Sequence, residues 1–189
     1  MELTSITPTP RQLKALTHPV RVRILGMLRV DGPATATTLA TRLRLNTGAT
    51  SYHLRQLAEH GFVVDDPERG TGRERWWRAA HRMTRTDTAT PADREAQETV
   101  AAYLQSVAVV MTQNLQRSVE ELALLPPAWG DATSYNDWVI RLSPRRARAL
   151  IEHLSAIVDE ETEEDGEDAA PYVVQLHGFP YPGNVAGGS

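Results

Sequence analysis

The chain is predicted to be mainly α, in an α+β arrangement: a helix-rich domain ending in a β-hairpin, one long helix, and a small C-terminal α/β (strand-helix-strand) extension. Three observations carry this expectation. Residues 45 to 77, LNTGATSYHLRQLAEHGFVVDDPERGTGRERWW, read as a polar-faced helix, a glycine stop and two strand-like runs around a tip with Gly70 and Gly72. Further on, an apolar stripe at helical spacing runs unbroken between Pro91 and Pro126. The charge is also divided. Residues 1 to 80 hold twelve basic against seven acidic side chains, a net of +5, residues 81 to 129 net −2 and residues 130 to 189 net −7, which gives −4 for the whole chain of 189.

The totals bound the answer. With 41% hydrophobic residues the chain can build a globular core of one large domain or a small domain plus an extension. No apolar run approaches the ~20 residues that span a bilayer, and the N-terminus MELTSITPTPRQ lacks the basic and apolar regions of a signal peptide. No membrane association and a cytoplasmic location are therefore expected. The absence of cysteine removes disulfides and thiolate metal sites. Of the twenty basic residues only Lys14 is a lysine, and Arg offers a planar fork suited to phosphates and guanine edges. Arg-rich codon usage explains the same bias, so abundance alone argues little.

In order, residues 1–9, with Pro8 and several threonines, are expected to form a flexible arm. The folded domain is expected over 10–80. From Pro10 a helix carries Leu13 and Leu16 on one face, and His18-Pro19 breaks it before a second helix, 19 to 30. There Val20, Ile24, Leu25, Met27 and Leu28 form the apolar face, while Arg21, Arg23 and Arg29 are expected to look outward. A short helix from about Thr37 to Leu43 follows, with Thr35, Thr37 and Thr38 as cap and phosphate donors. The next helix spans roughly Thr47 to His60. Leu54, Leu57 and Ala58 point inward with Thr50 at the edge, and Thr47, Gly48, Ser51, Tyr52 and Arg55 project the other way. Two short helices joined tightly, the second with a polar outer face, make a helix-turn-helix. Gly61 is placed to stop it. Phe62 to Asp65 and Arg75 to Arg78 then read as antiparallel strands, a wing.

Residues from about Leu13 to Arg78 resemble the winged helix-turn-helix of the ArsR-like bacterial transcriptional regulators. The resemblance rests on LTHPVRVRILGML, TSYHLRQLAEHGFV and RGTGRERWWR. Ser51, Tyr52, His53, Leu54, Leu57, Gly61 and Val63 match the family's pattern, over about a third of the chain. It implies a homodimer reading a two-fold operator through adjacent major grooves. Family members that sense metals place cysteines before the recognition helix, or Asp and His on the later dimerisation helix. Here the first place reads Thr35-Ala36-Thr37-Thr38-Leu39-Ala40, and 91 to 125 contains no histidine, so no metal is expected at either site and no cofactor is expected.

Beyond the wing, 81–91 reads as a polar connector and 92–127 as a long dimerisation helix of roughly 50 Å. Val100, Leu104, Val107, Met111, Leu115, Val119 and Leu122 are expected to pack against a second copy. The alternative is two shorter helices folded back on their own core. The extension, 128–179, is read as a strand at Tyr135 to Leu142, a helix from Pro144 to Asp159 burying Ala147, Leu150, Ile151, Leu154, Ile157 and Val158, an acidic loop to Asp168, and a strand at Tyr172 to Phe179. The tail 180–189 is expected to be disordered.

These elements assign the candidates. On the recognition helix, Thr47, Gly48, Ser51, Tyr52, His53 and Arg55 are the residues for double-stranded DNA, with His53 equally readable as a surface histidine with a local partner. Thr37, Arg42, Arg44, Arg69, Arg73 and Arg75 are candidates for phosphates and the wing's groove contacts. Neither a phosphate-binding glycine loop nor a nucleophile with a base at recognisable spacing is present, so the chain is not read as an enzyme. The Trp76-Trp77 pair is read as packing, one ring toward the core. Two functions remain: a sequence-specific regulator, taken as a repressor, with room for a small-molecule effector; or a winged-helix protein-interaction module with an acidic C-terminal region.

Overall fold

The computed structural model describes residues 5–69, 74–85, 93–164 and 166–184. Expectations for residues 1–4 of the arm, the wing tip with Gly70, Gly72 and Arg73, the end of the connector with Pro91, and residues 185–189 of the tail lie outside the described residues. Residues 2–123 and 124–189 form two separate units.

The first unit begins with β1 (Ser5–Ile6). Instead of belonging to a free arm, β1 pairs in parallel with β5 (Met83–Thr84), which lies in the segment expected as a connector. The cause is Arg29. Expected to face outward, it donates from Nε to the His81 carbonyl at 2.9 Å and from Nη2 to Thr84 Oγ1 at 2.8 Å. Burial lowers its pKa to about 10, with Tyr103 acting in the opposite direction, so it stays a cation at neutral pH. Arg23 is likewise engaged, donating to Gln113 Oε1.

α1 (Pro10–Leu13) opens on a reciprocal capping box between Thr9 and Gln12, and a 3-10 turn continues over Lys14–Leu16. α2 (Pro19–Val30) starts where the sequence predicts: the ring of His18 accepts from Val20 N at 3.2 Å, and Pro19, lacking an N–H, loses nothing in the first turn. It buries Ile24, Leu25 and Leu28. α3 (Ala36–Leu43) and α4 (Thr47–Glu59) form the helix pair, and Gly61, at φ +79°, turns the chain into β3 (Val63–Asp65). The sheet has a strand not foreseen. β4 (Trp76–Ala79) is central, pairing antiparallel with β3 on one side and with β2 (Ala34–Thr35) on the other. Two residues that lead straight into a helix show no alternation that could announce a strand. Trp77 is buried and Trp76 half-buried, so one ring enters the core. Leu16, Ile24, Leu39, Leu54, Leu57, Phe62 and Val63 complete it, all at most 2% exposed.

α5 (Arg94–Glu121) is one continuous helix of 28 residues, about 42 Å long. Its start is capped by Asp93, which accepts from Ala96 N at 2.7 Å. The apolar stripe divides in two. Val100 and Val107, expected at a dimer interface, pack against the core of their own domain, between buried Ala96, Thr99, Tyr103 and Ser106. Beyond them the stripe opens: Leu115 is 48% and Val119 55% exposed.

The second unit holds α6 (Pro127–Asp131) and α7 (Pro144–Glu160), the latter capped by Ser143. The expected strands at 135–142 and 172–179 do not form: no ladder joins any described residues of this unit. Each has the alternation of a strand, but a strand exists only when another backbone meets its N–H and C=O groups. The face of α7 expected to be buried is not. Ala147 and Ile151 are half-buried, while Leu150, Leu154, Ile157 and Val158 are exposed. Tyr172 anchors its segment by donating to the Ala132 carbonyl at 2.7 Å and stacking near Trp129. No helix among the described residues is long and apolar enough to cross a membrane.

Candidate nucleic-acid interface

The helix-turn-helix is built by its caps. Thr35 is buried at the N-cap of α3 and accepts from Thr38 N at 3.2 Å, leaving Thr37 exposed in the first turn. α3 ends on Arg44, which holds φ +55° and ψ +43° while Leu45 N donates to the Ala40 carbonyl at 2.9 Å. This is a Schellman-type closure with an arginine at the left-handed position that glycine usually takes. Asn46 then caps α4, accepting from Ala49 N at 2.7 Å. Thr50, expected at the edge of the inner face, is fully buried because its hydroxyl donates back to the Asn46 carbonyl at 3.1 Å, which satisfies it inside the core.

With Thr50, Leu54 and Leu57 inward, helical spacing turns Thr47, Gly48, Ser51, Tyr52 and Arg55 outward on α4. Thr47, Gly48, Tyr52 and Arg55 are exposed and Ser51 half-exposed. A Cβ on Gly48 would lie 3.3 Å from Asn46 Oδ1, so the small residue also gives the cap room. The side chains of Arg44 and Arg55 form no ion pair or hydrogen bond with described residues. Arg78, exposed on β4 next to buried Trp77, is equally unpaired; its signal in the sequence is the strand alternation itself.

Other predicted cations are engaged. Arg42 pairs with Asp31 at 2.8 Å, and Arg69 approaches Asp66 at 3.8 Å. Arg75 donates to Asp65 at 2.8 Å with its guanidinium 4.1 Å from the Trp77 ring centroid, which fixes it across the β3–β4 ladder. These surface pairs are weak, on the order of 0–1 kcal/mol, and a phosphate could exchange for the carboxylate. Arg73 falls outside the described residues.

His53 faces inward from the others. Its ring is 4.9 Å from the ring of His18, its Nδ1 is buried with no hydrogen-bond partner, and Arg21 lies beside it with Nε likewise unpartnered. Burial, then the neighbouring His18 and Arg21, push the imidazole below its ordinary pKa, keeping it neutral. Sequence spacing could not reveal this, because the facing group comes from the start of α2.

A winged helix-turn-helix with a polar, partly cationic outer face on its second helix is the class that this geometry defines. In agreement, a family model described as a helix-turn-helix domain matches residues 16–65, which run from the end of the first 3-10 turn through β3. The chain thus carries a helix-turn-helix domain. No curated protein sequence matches the chain. Among solved structures, a mutant of Lactococcus lactis ZitR in apo form aligns with 75% of this chain and 80% of its own at 12% identity, with a TM-score of 0.32.

Proposed function

We propose that the protein is a sequence-specific, DNA-binding transcriptional regulator of ArsR-like type, a repressor that acts in the cytoplasm as a homodimer on a two-fold operator. One observation carries the reading: Thr47, Ser51 and Arg55 stand on one outer face of α4 with no partner among the described residues, on the helix that this fold presents to a major groove. Arg55 is the residue best able to read guanine, at about 1–3 kcal/mol for a bidentate pair. Gly48 and Tyr52 line the same face. Thr37, Arg42 and Arg44 are assigned to phosphates, Arg69, Arg73, Arg75 and Arg78 to the wing's contacts, and His53 to positioning α4 against α2.

The reading pairs two copies through Leu104 and Met111 on α5 and the exposed end of the stripe at Leu115, Val119 and Leu122, and invokes no metal, since α5 carries no histidine. The test is an electrophoretic shift with the purified protein on genomic fragments. A salt-sensitive preference for particular fragments over random DNA is the expected result, and equal affinity for all would overturn it. A protein-interaction module is favoured instead by one feature, the acidic second unit with its exposed apolar side chains. In that case the wild type binds DNA without preference.

A further inference from the structure

The distribution of charge on α7 is the reverse of what a lone helix favours. Arg145 and Arg146 sit in its first turn and Asp159 and Glu160 in its last, with no acidic residue at the start and no basic residue at the end. The helix dipole therefore opposes both ends. The apolar surface of the same helix is also divided. Ala147, Ile151 and Ser155 are half-buried, and Gly178 crosses there so closely that a Cβ would lie 2.5 Å from Ile151 Cδ1. Flanking that covered side, Leu150, Leu154 and Ile157 are 38%, 37% and 46% exposed. At helical spacing this open stripe is continued by Arg146 at one end and Glu161, the C-cap, at the other.

We infer that α7 docks on α7 of a second copy, antiparallel about a two-fold axis near residues 153 and 154. The stripe is self-complementary in that register: Arg146 meets Glu161 of the other copy, Leu150 meets Ile157, and the two Leu154 side chains meet near the axis. One antiparallel partner buries the apolar side chains, places basic ends over acidic ends, and opposes the two dipoles, relieving both mismatches of the isolated helix. Isologous pairing of this kind asks nothing of the DNA reading and lies on a different unit from the open half of α5.

The chain's lack of cysteine gives a clean background for the test. Full-length Leu150→Cys and Ile157→Cys proteins are oxidised separately and as a mixture. In the inferred register residues 150 and 157 face each other, whereas two copies of residue 150 are separated along the axis by ~10 Å, too far for a disulfide. The expected result is a cross-linked product in the mixture at least tenfold above either protein alone. Equal homotypic and mixed yields would overturn the inference, as would no product from a protein that sediments as a dimer through α5, or from a monomer. Charge reversal gives a second reading: Arg146→Glu and Glu161→Arg each weaken association several-fold, and mixing the two restores it. Failure of the mixture to recover would also overturn antiparallel pairing. Neither outcome alters the fragment preference of the wild type in a gel shift, so the two proposals fail separately.

Discussion

His18 and His53 face each other at 4.9 Å between ring centroids, joining the residue that caps α2 to the helix that carries the outward polar face. Burial comes first, then His18 and Arg21, in holding His53 below its ordinary pKa. The unfolded chain therefore takes up the proton more readily than the folded one. The stability owed to a neutral His53 is complete above the unfolded value of about 6.5 and is lost as pH falls from there through the lower folded value. Chemical denaturation at stepped pH should show stability falling across that window in the wild type and a shallower fall in His53→Gln. Identical slopes would contradict the placement.

Arg55 and Arg75 should separate recognition from structure. Arg55 has no partner among the described residues, so Arg55→Ala should leave stability within about 0.5 kcal/mol and weaken specific DNA binding at least about tenfold. Arg75 bonds Asp65 and covers Trp77. Arg75→Ala should therefore lower stability, by about 1 kcal/mol, as well as affinity. Paired thermal melts and binding titrations check both, and a destabilised Arg55→Ala would count against the free face of α4.

Arg44 invites a substitution whose two effects have opposite signs. Its left-handed backbone costs a side chain about 1 kcal/mol that glycine does not incur. Arg44→Gly should hold or raise the melting temperature while reducing affinity for DNA. A lower melting temperature with unchanged affinity would reverse both assignments.

The open half of α5 predicts self-association there. Leu115→Asp with Val119→Asp should raise the dimer dissociation constant at least tenfold in sedimentation equilibrium, since an apolar interface cannot hold unpaired carboxylates. An unchanged constant would remove α5 from the interface.

Much of the first unit was legible because its signals are local. Pro19 behind His18, Asn46 before Thr47 and Gly61 after α4 punctuate the chain at positions set by backbone chemistry, and Leu54 and Leu57 mark the inner face by spacing alone. What escaped depends on contacts between distant segments. β2 exists only because Trp76 and Trp77 lie alongside it, and β1 pairs with β5 where Arg29 ties down His81 and Thr84. For the same reason one stripe at helical spacing runs through Val100, Val107 and Leu115, although the first two pack on the core of their own domain and Leu115 does not. In 124–189 the alternation of residues 135–142 and 172–179 is real, but alternation specifies a strand only where a neighbouring edge is supplied.

The central claim is that α4 and the wing bind a specific DNA sequence. It is tested most directly by titrating the protein onto its best-selected genomic fragment and onto random DNA from low to high salt. The account predicts log-linear weakening on both, with a slope of about −0.9 per neutralised phosphate, and a residual preference for the selected fragment that Arg55→Ala reduces. Indistinguishable curves for the two DNAs at every salt concentration would contradict it.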